Sequence, residues 1–110
     1  IPTVKLINHN GKTVSANLNS FESAAKYASW QAKDNYNLLL VNQPGADSWP
    51  IVATTFVLLP QKAKQPLNQD IKQFFDFAYS EQGDKIAKKL DYVGIPQNVV
   101  AGIKVYWDKV

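Results

Sequence analysis

The stretch GADSWPIVATTFVLLP, residues 45–60, contains the longest apolar and β-branched run of this chain. Its centre, IVATTFVLL, predicts a β-strand because β-branched and aromatic residues favour the pleated backbone. Apolar and polar residues do not alternate along it, as they would in a strand with one face in water. Pro50 follows Trp49 and has no N–H to donate, so this part of the segment is unsuited to pairing as a central strand.

The composition is that of one folded domain: 45% of the 110 residues are hydrophobic and 19% are charged. No apolar stretch approaches the roughly 18 residues of a membrane-spanning helix. Cysteine is absent, which excludes disulfides, thiol catalysis and the usual cysteine-rich zinc sites. All 12 basic residues are lysines, so the arginine fork that grips phosphate is missing. They are scattered and the net charge is +3, so nucleic-acid binding is not predicted.

The start of the chain, Ile1-Pro2-Thr3, shows neither a methionine nor a signal peptide. A strand-like stretch, residues 4–7, follows at once without a capping segment. We therefore expect the chain to be a piece of a longer polypeptide.

The first half of the chain predicts a hairpin followed by a helix. TVKLIN and TVSAN flank a turn in which Asn10-Gly11 supplies the positive φ of a two-residue loop. In NSFESAAKYASW, Asn19 is the predicted N-cap and Glu22 completes a capping box. NLLLVNQPGADS then predicts a short apolar strand or turn and a Pro-Gly loop. The apolar face of the helix consists of Phe21, Ala24, Ala25 and Ala28.

The second half switches to helical spacing and predicts three helices. The first, PLNQDIKQFFDFAYSEQG, ends at Gly83, since glycine commonly terminates helices. The second, DKIAKKLDYV, is opened by Asp84, whose carboxylate suits the positive end of the helix dipole. The third, IPQNVVAGIKVYWDKV, has Pro96 in its first turn. The composition shift near Trp49-Pro50 is a candidate boundary between two structural units.

Apolar residues of these helices recur at the spacing of one buried face. The residues predicted to face inward are Ile71, Phe74, Phe75, Ala78, Ile86, Ala87, Leu90, Val99, Val100, Ile103 and Trp107. Together, the strands and helices indicate an α/β fold in which a mixed short sheet packs with helices.

No constellation of side chains points to an enzyme or a metal site. His9, the single histidine, lies in an asparagine-rich turn and is predicted to be a solvated polar residue. The sequence contains no phosphate-binding glycine loop and no nucleophile elbow. The chain is therefore predicted to have no catalytic residue, no metal and no cofactor. A series of carboxylates falls at helix surfaces and caps: Asp70, Asp76, Glu81 and Asp84.

Three hydroxyl groups near the opening stretch leave an alternative open. Ser48, Thr54 and Thr55 could donate to an oxyanion. Thr54 and Thr55 are equally the β-branched residues of an ordinary strand, and this second interpretation is favoured.

The three tryptophans leave another alternative open. Trp30, Trp49 and Trp107 could form a surface that stacks on sugars, although the helical spacing of Trp107 is that of a core residue. A free-standing extracytoplasmic module that binds a protein or a sugar is therefore a second hypothesis for function.

Three segments of the chain carry a resemblance to a known family. In GADSWPIVATTFVLLPQK, Trp-Pro-Ile is followed by a pair of threonines and then by an apolar stretch that predicts a strand. KLINHNGKTVSANLNSFESAAKYASW combines a strand, a turn and a helix with an alanine pair. IKQFFDFAYSEQGDKIAKKLDYVGIPQNVV contains Phe-Phe-Asp-x-Ala-Tyr and Leu-Asp-Tyr-x-x-x-Pro. In order and spacing, these segments resemble the periplasmic phosphate-binding proteins of ABC-type phosphate importers over essentially the whole chain.

The resemblance implies a fold and a function. The family has the two-lobed (type II) periplasmic binding-protein fold, and this chain resembles its C-terminal third. Residues 1–49 would be part of the second lobe, and residues 50–110 a crossover strand and helices of the first lobe. The implied function is capture of inorganic phosphate and its delivery to the membrane subunits of an ABC importer. The implied location is the periplasm or, in a Gram-positive-type cell, the cell surface as a lipoprotein.

The resemblance assigns no phosphate-binding residue to this chain, because the family's ligand loops, one of them Arg-x-x-x-Ser-Gly-Thr, precede the matching segment. The opening stretch is interpreted as a return crossing between the lobes. Its open strand edges predict self-association of the isolated chain. The residues assigned to the hinge and the scaffold near the cleft are Ser48, Trp49, Pro50, Thr54 and Thr55.

Overall fold

The computed structural model describes residues 2–58 and 67–108. Within these ranges the strands are β1 (Lys5–Ile7) and β2 (Thr13–Ser15), and the helices are α1 (Leu18–Tyr27), α2 (Leu67–Ala78), α3 (Glu81–Lys89) and α4 (Gln97–Trp107). A 3₁₀ turn, Ala32–Asp34, follows α1. None of the helices in the described ranges is both long and apolar enough to cross a membrane.

Strands β1 and β2 form the predicted antiparallel hairpin, with Leu6 opposite Val14. The turn between them differs from the prediction. The Asn8 N–H donates to Lys12 O at 2.9 Å, which encloses a three-residue loop rather than a two-residue one. Of the loop residues, Gly11 has a positive φ, 72°. A three-residue loop that ends in a left-handed glycine is a common closure for a hairpin.

Helix α1 begins earlier than predicted, because its N-cap is Asn17 and not Asn19. Asn17 Oδ1 accepts a hydrogen bond from the Ser20 N–H at 3.0 Å, and Ser20 Oγ accepts one from the Asn17 N–H at 3.1 Å. Ser20 thus takes the place that the prediction gave to Glu22, since its short side chain closes the capping box from the third helical position. The predicted alanine face is confirmed at its centre, where Ala24 and Ala25 are buried.

The helix predicted to end at Gly83 ends at Ala78, and a separate helix follows. Ser80 divides the two. Its Oγ donates to Phe77 O at 2.6 Å and accepts from the Gly83 N–H at 3.3 Å, so one hydroxyl serves both helix ends. Ser80, rather than Asp84, therefore caps α3. Gly83 lies inside α3, where a Cβ would collide with the Ala78 carbonyl.

The inward faces are confirmed in α4 but not fully in α2 and α3. Val99 and Val100 of α4 are buried, whereas Phe74, Ile86 and Leu90 are exposed by 63%, 49% and 65%. Spacing decides which residues share a face, but burial also needs an element that covers that face, and the described residues supply none there. Half-buried members of the predicted set are Ile71, Phe75, Ala78, Ala87, Ile103 and Trp107.

Helices α2 and α4 are joined by aromatic and ionic contacts. The ring of Trp107 lies 5.7 Å from that of Phe75 and 6.1 Å from that of Tyr79, measured between centroids. Lys104 Nζ lies 2.7 Å from Asp76 Oδ1. Trp107, predicted as a core residue, is half-buried between α2 and α4. Pro96, predicted in the first turn of α4, is its N-cap.

The molecule is elongated, with extents of 49 × 30 × 19 Å. Its radius of gyration is 15.7 Å, above the roughly 13 Å of a compact domain of this length. The α/β composition is confirmed, but the predicted mixed sheet is wrong for the described residues, because their sheet consists of two antiparallel strands. The buried apolar residues of the described ranges are Val14, Ala24, Ala25, Leu40, Trp49, Val99 and Val100.

Candidate functional site

Residues 42–49, called the anchored loop, are held against the hairpin by Asn8. This side chain is buried, and its Nδ2 donates to Gly45 O at 3.1 Å and Ala46 O at 2.8 Å. Its Oδ1 accepts from two N–H groups of the hairpin loop, each at 3.0 Å. The amide thus uses both donors and both acceptor positions. Such a fully satisfied buried side chain fixes the loop relative to the hairpin.

Gly45 makes the closest approach within the anchored loop. Its φ is 118°, outside the range that residues with a side chain adopt readily. A Cβ at this position would collide with Ser48 Oγ and lie 2.7 Å from Tyr27 Cδ2. Its N–H donates to Asn10 Oδ1 at 3.2 Å. The loop therefore requires glycine here for two independent reasons.

Ser48 is the most deeply buried residue of the loop, with 0% of its surface exposed. Its Oγ donates to Pro44 O at 2.7 Å and lies 2.9 Å from Ser23 Oγ of α1. Because the single Ser48 hydroxyl hydrogen goes to Pro44, Ser23 is the donor in the serine pair. The Ser48 N–H donates to Gly45 O at 3.3 Å. The polar groups of Ser48 are thus used inside the protein.

Trp49 joins the end of the anchored loop to α1. Only 8% of its surface is exposed, and its N–H donates to Ser20 O at 2.9 Å. Its ring meets that of Phe21 edge to face, with centroids 6.3 Å apart. The next residue, Pro50, accepts a hydrogen bond from the Asn42 N–H through its carbonyl at 2.8 Å. The chain is therefore fixed up to Pro50.

The anchoring ends one residue later. Ile51 forms an isolated antiparallel bridge with Val41. Residues 52–58, called the unpaired segment, are neither helical nor paired in a sheet, and no backbone hydrogen bond joins them to the rest of the described chain. The predicted strand IVATTFVLL is therefore wrong for the described residues beyond Ile51. Its last residue, Leu59, lies outside the described ranges, as does Pro60.

The five predicted hinge residues fall into two groups. Ser48, Trp49 and Pro50 lie together against α1 and the anchored loop. Thr54 and Thr55 lie on the unpaired segment, where Thr55 is exposed. Thr54 Oγ1 is buried and has no hydrogen-bond partner among the residues that the structure describes.

Ser48 and its hydrogen-bonded neighbours offer no unpaired donor to an anion. An anion site needs several N–H or O–H groups that converge and are not already paired. Here the N–H groups of Gly45, Ser48 and Trp49 and the hydroxyls of Ser23 and Ser48 all donate to protein atoms. The geometry therefore does not support the oxyanion alternative for Ser48.

Metal binding finds no support either. His9 is exposed in the hairpin loop. In residues 2–58 and 67–108, no group of three or more histidine or carboxylate side chains could hold a metal ion. Three of the four carboxylates in the predicted helix series, Asp76, Glu81 and Asp84, form ion pairs with lysines, as Glu81 does with Lys85 at 2.8 Å.

An open cleft of about 370 Å³ lies between the 3₁₀ turn and α4. One wall contains a Tyr36–Tyr106 pair, packed edge to face with centroids 6.0 Å apart. Because no lining side chain is charged, the cleft is unsuited to an anion such as phosphate. Its lining residues are Ala32, Tyr36, Ala101, Gly102, Val105 and Tyr106.

Two side chains, Lys88 and Tyr79, have raised pKa values, and in both the cause is packing or pairing with other residues of the protein. Hydrogen bonds with Glu22 and then Asp84 raise the pKa of Lys88, whose Nζ lies 3.1 Å from Glu22 Oε1 and 3.2 Å from Asp84 Oδ2. Burial raises the pKa of Tyr79 because it disfavours the charged phenolate. Neither group faces a partner that would make an acid–base pair for catalysis.

The tryptophans do not share one surface. Trp30 Nε1 donates to Ala25 O at 2.8 Å. Trp49 is buried against α1, and Trp107 packs between α2 and α4. The sugar-stacking alternative therefore has no support from their arrangement.

Sequence reasoning missed the residues that anchor the loop, namely Asn8, Ser20, Ser23 and Gly45. Two signals point to them. Asn8 opens the turn NHNG, where asparagine side chains commonly bind nearby backbone N–H groups. Ser20 and Ser23 are small polar residues three positions apart, on one side of an alanine-rich helix.

No protein-family model matches the chain. Curated relatives do. The chain is 39% identical over 105 residues to the phosphate-binding protein PstS of Haemophilus influenzae, an alignment that covers 94% of this chain and 31% of that protein. It is 37% identical over 103 residues to PstS of Xylella fastidiosa strain Temecula1, covering 93% and 28%. It is 36% identical over 103 residues to PstS of Pasteurella multocida, covering 93% and 30%.

These relatives are named as binding proteins, so the chain is similar to a segment of a binding protein. More particularly, it is a relative of the PstS phosphate-binding proteins over nearly its whole length. It spans about a third of the length of these relatives and corresponds to their C-terminal part. The resemblance predicted from the sequence motifs is confirmed.

Proposed function

We propose that this chain is part of a solute-binding protein that captures inorganic phosphate and delivers it to the membrane subunits of an ABC importer. The observation that carries the proposal is the 36 to 39% identity, over more than nine-tenths of the chain, to proteins named as phosphate-binding. The free-standing module for proteins or sugars is not favoured, because these relatives carry no such name.

The phosphate ligands belong to the part of the whole protein outside these 110 residues. Three observations support this placement. The chain contains no arginine. The N–H groups of Gly45, Ser48 and Trp49 and the Ser48 hydroxyl are already paired with protein atoms. The open cleft beside α4 has no charged lining residue.

Residues 1–49 belong to the second lobe and residues 50–110 to the first, with the crossing at Trp49-Pro50. The change from a fixed loop to an unpaired segment directly after Ile51 supports this boundary. Ser48, Trp49 and Pro50 form the fixed side of the hinge, and Thr54 and Thr55 lie beyond the pivot. Closing the lobes over phosphate would then change backbone angles just after Ile51.

An ion pair crosses this boundary, as do the edge-to-face Tyr36–Tyr106 pair and the hydrogen bond that the Tyr106 hydroxyl donates to Asn35 Oδ1. Lys88 and Glu22 join α3 to α1 through side chains that are 43% and 42% exposed. Exposed ion pairs of this kind contribute roughly 0 to 1 kcal/mol. Such a weak contact can break and re-form as the lobes move. The proposed location of the whole protein is the periplasm, or the cell surface as a lipoprotein.

Calorimetric titration with phosphate tests the proposal on two samples, the full-length product and the 110-residue chain. We expect saturable heat from the full-length protein and none from the chain alone. Sulfate at matched ionic strength is the control for non-specific attraction by the net positive charge. A full-length protein that gives no heat would overturn the function, and equal binding by the chain alone would overturn the placement of the ligands.

A further inference from the structure

We propose that the end of the 3₁₀ turn and helix α4 form a clasp between the two lobes, which is made when the lobes close and broken when they open. The residues of the clasp are Asn35 and Tyr36 on the turn and Gly102 and Tyr106 on α4. The inference rests on the proposed function, which places the turn in one lobe and α4 in the other. It adds a named contact that sets how firmly phosphate is held.

The turn side of the clasp has an unusual backbone. Asn35 and Tyr36 are both left-handed, with φ of 53° and 55°. Asparagine tolerates this conformation, but it is rare for a side chain as bulky as that of tyrosine. The Tyr36 N–H donates to Gln31 O at 3.0 Å and closes the turn. Residues in such conformations cluster at ligand clamps and switch regions, so the backbone here points to a role in conformational change.

Gly102 gives the Tyr36 side chain its place on α4. A Cβ at Gly102 would lie 2.6 Å from the Tyr36 hydroxyl oxygen, too close for a non-bonded carbon and oxygen. Glycine inside a helix costs stability relative to alanine. The close approach of a tyrosine from the other lobe explains why glycine occupies this position in the middle of α4.

Tyr106 contacts both residues of the turn. Its ring packs edge to face with that of Tyr36, at a centroid distance of 6.0 Å. Its hydroxyl donates to Asn35 Oδ1, a bond between residues 71 positions apart in the sequence. An edge-to-face aromatic pair stabilises beyond the area it buries, and the hydrogen bond fixes how the two elements meet. The clasp is therefore a specific contact across the proposed boundary.

The clasp belongs to the closed arrangement, because closure brings the lobes together. A contact made only on closure stabilises the phosphate-bound protein and not the open one, so it raises the affinity for phosphate. Phosphate enters the open protein, in which the clasp is broken. The clasp should therefore slow the release of phosphate and leave its association rate unchanged.

Tyr106→Phe and Gly102→Ala test the clasp in the full-length protein. The first keeps the ring and removes the hydroxyl that binds Asn35. The second fills the place of the Tyr36 hydroxyl while it favours the helix. We expect each variant to bind phosphate about threefold or more weakly, through faster release at an unchanged association rate, both measured by stopped flow. Tyr92→Phe, at an exposed tyrosine outside the clasp, is the matched control and should change neither rate.

Hydrogen exchange of residues 31–37, followed by mass spectrometry with and without phosphate, gives a second readout. We expect phosphate to slow this exchange in the native protein and to slow it less in the two clasp variants. Circular dichroism checks that every variant keeps its helices. A native protein that binds no phosphate in calorimetry would overturn the proposed function and the clasp with it. If phosphate binds, unchanged exchange of residues 31–37 or release rates equal to the native rate in both clasp variants would overturn the clasp alone.

Discussion

Ser23 and Ser48 share a hydrogen bond of 2.9 Å between their hydroxyl oxygens, and this contact ties α1 to the residue that precedes the Trp49-Pro50 step. The Ser48 hydroxyl in turn donates to Pro44 O at 2.7 Å. The two hydroxyls therefore connect a helix, a loop and the entrance to the apolar run. Because Ser48 is buried, a polar group there that loses its partner finds no water to replace it, and the folded protein loses stability.

Ser48→Ala removes the central member of this chain of hydrogen bonds. Pro44 O and the Ser23 hydroxyl lose their partner, so we expect a loss of about 1 to 3 kcal/mol in the free energy of unfolding. Urea titration followed by circular dichroism measures it. Ser29→Ala is the control, since Ser29 is exposed and should change stability by no more than about 0.5 kcal/mol. Equal effects of the two variants would contradict the role given to Ser48.

Asn8→Asp tests the buried amide with almost no change of shape. The carboxylate cannot donate to Gly45 O and Ala46 O, and it brings negative charge against two carbonyls. We expect a loss of at least about 2 kcal/mol, measured by the same urea titration at neutral pH.

Asn10→Asp is the matched control for this change. Asn10 acts as an acceptor, through its Oδ1, for the Gly45 N–H, and an aspartate keeps that acceptor. It is also exposed. A variant Asn8→Asp that is as stable as Asn10→Asp would show that the two donated bonds contribute nothing.

Gly45→Ala and Gly11→Ala compare two glycines with positive φ. At Gly11, φ is 72° and nothing lies within 4 Å of an added Cβ, so the cost should be that of a left-handed residue, roughly 1 to 2 kcal/mol. At Gly45, φ is 118° and the Cβ would also collide with Ser48 Oγ. We expect Gly45→Ala to cost at least about 3 kcal/mol. Thermal unfolding measures the stability of both variants. A Gly11→Ala variant less stable than Gly45→Ala would contradict the structure.

Pro50→Gly tests the proposed hinge in the full-length protein. Glycine frees φ and restores an N–H, so closure should order more of the chain and phosphate affinity should fall by about twofold to fivefold. Calorimetry measures the affinity, and small-angle X-ray scattering with and without phosphate measures closure. Pro2→Gly, at an exposed position outside the hinge, is the control. Unchanged affinity and scattering would count against a hinge at this step.

Alkaline pH should destabilise the fold through Tyr79 and Lys88. Both pKa values are raised by folding, Tyr79 by burial and Lys88 by its bonds to Glu22 and Asp84. A raised folded-state pKa gives stability that is present below the unfolded-state values, about 10.0 and 10.5, and is lost as the pH rises through the folded-state values. The loss therefore begins only above about pH 10.

Tyr79→Phe separates the two contributions to this loss. The variant keeps the ring against Trp107 but has no phenol to ionise. We expect its urea midpoint to fall less than that of the native chain between about pH 9 and about pH 11, and the two to run in parallel below about pH 9. An equal fall in both proteins would exclude Tyr79 from the alkaline transition.

Local signals in the sequence were enough to predict the hairpin, the alanine face of α1 and the buried start of α4. Each depends on neighbours a few residues apart, such as Gly11 in its turn and Val99 with Val100 on one helical face. Helix boundaries were less well predicted. Asn17 and Ser80 were missed as caps because Asn19 and Asp84 could also have served, and only the folded backbone selects one.

The candidate site shows the same division. The motif around Trp49-Pro50 marked the right place in the chain, but the residues that anchor it are distant in sequence: Asn8 is 37 and 38 positions from the carbonyls it binds. No periodicity or spacing rule relates residues so far apart.

The sequence by itself determined the α/β composition and the relationship to phosphate-binding proteins. Because it contains no cysteine and no arginine, it also excluded the chemistry of those two side chains. The tertiary structure alone decided that Ser48 and Trp49 are locked against α1, while the apolar run after Ile51 is left without a strand partner in the described chain. The physical reason is that strand propensity is local, whereas a strand exists only when another backbone supplies its hydrogen bonds.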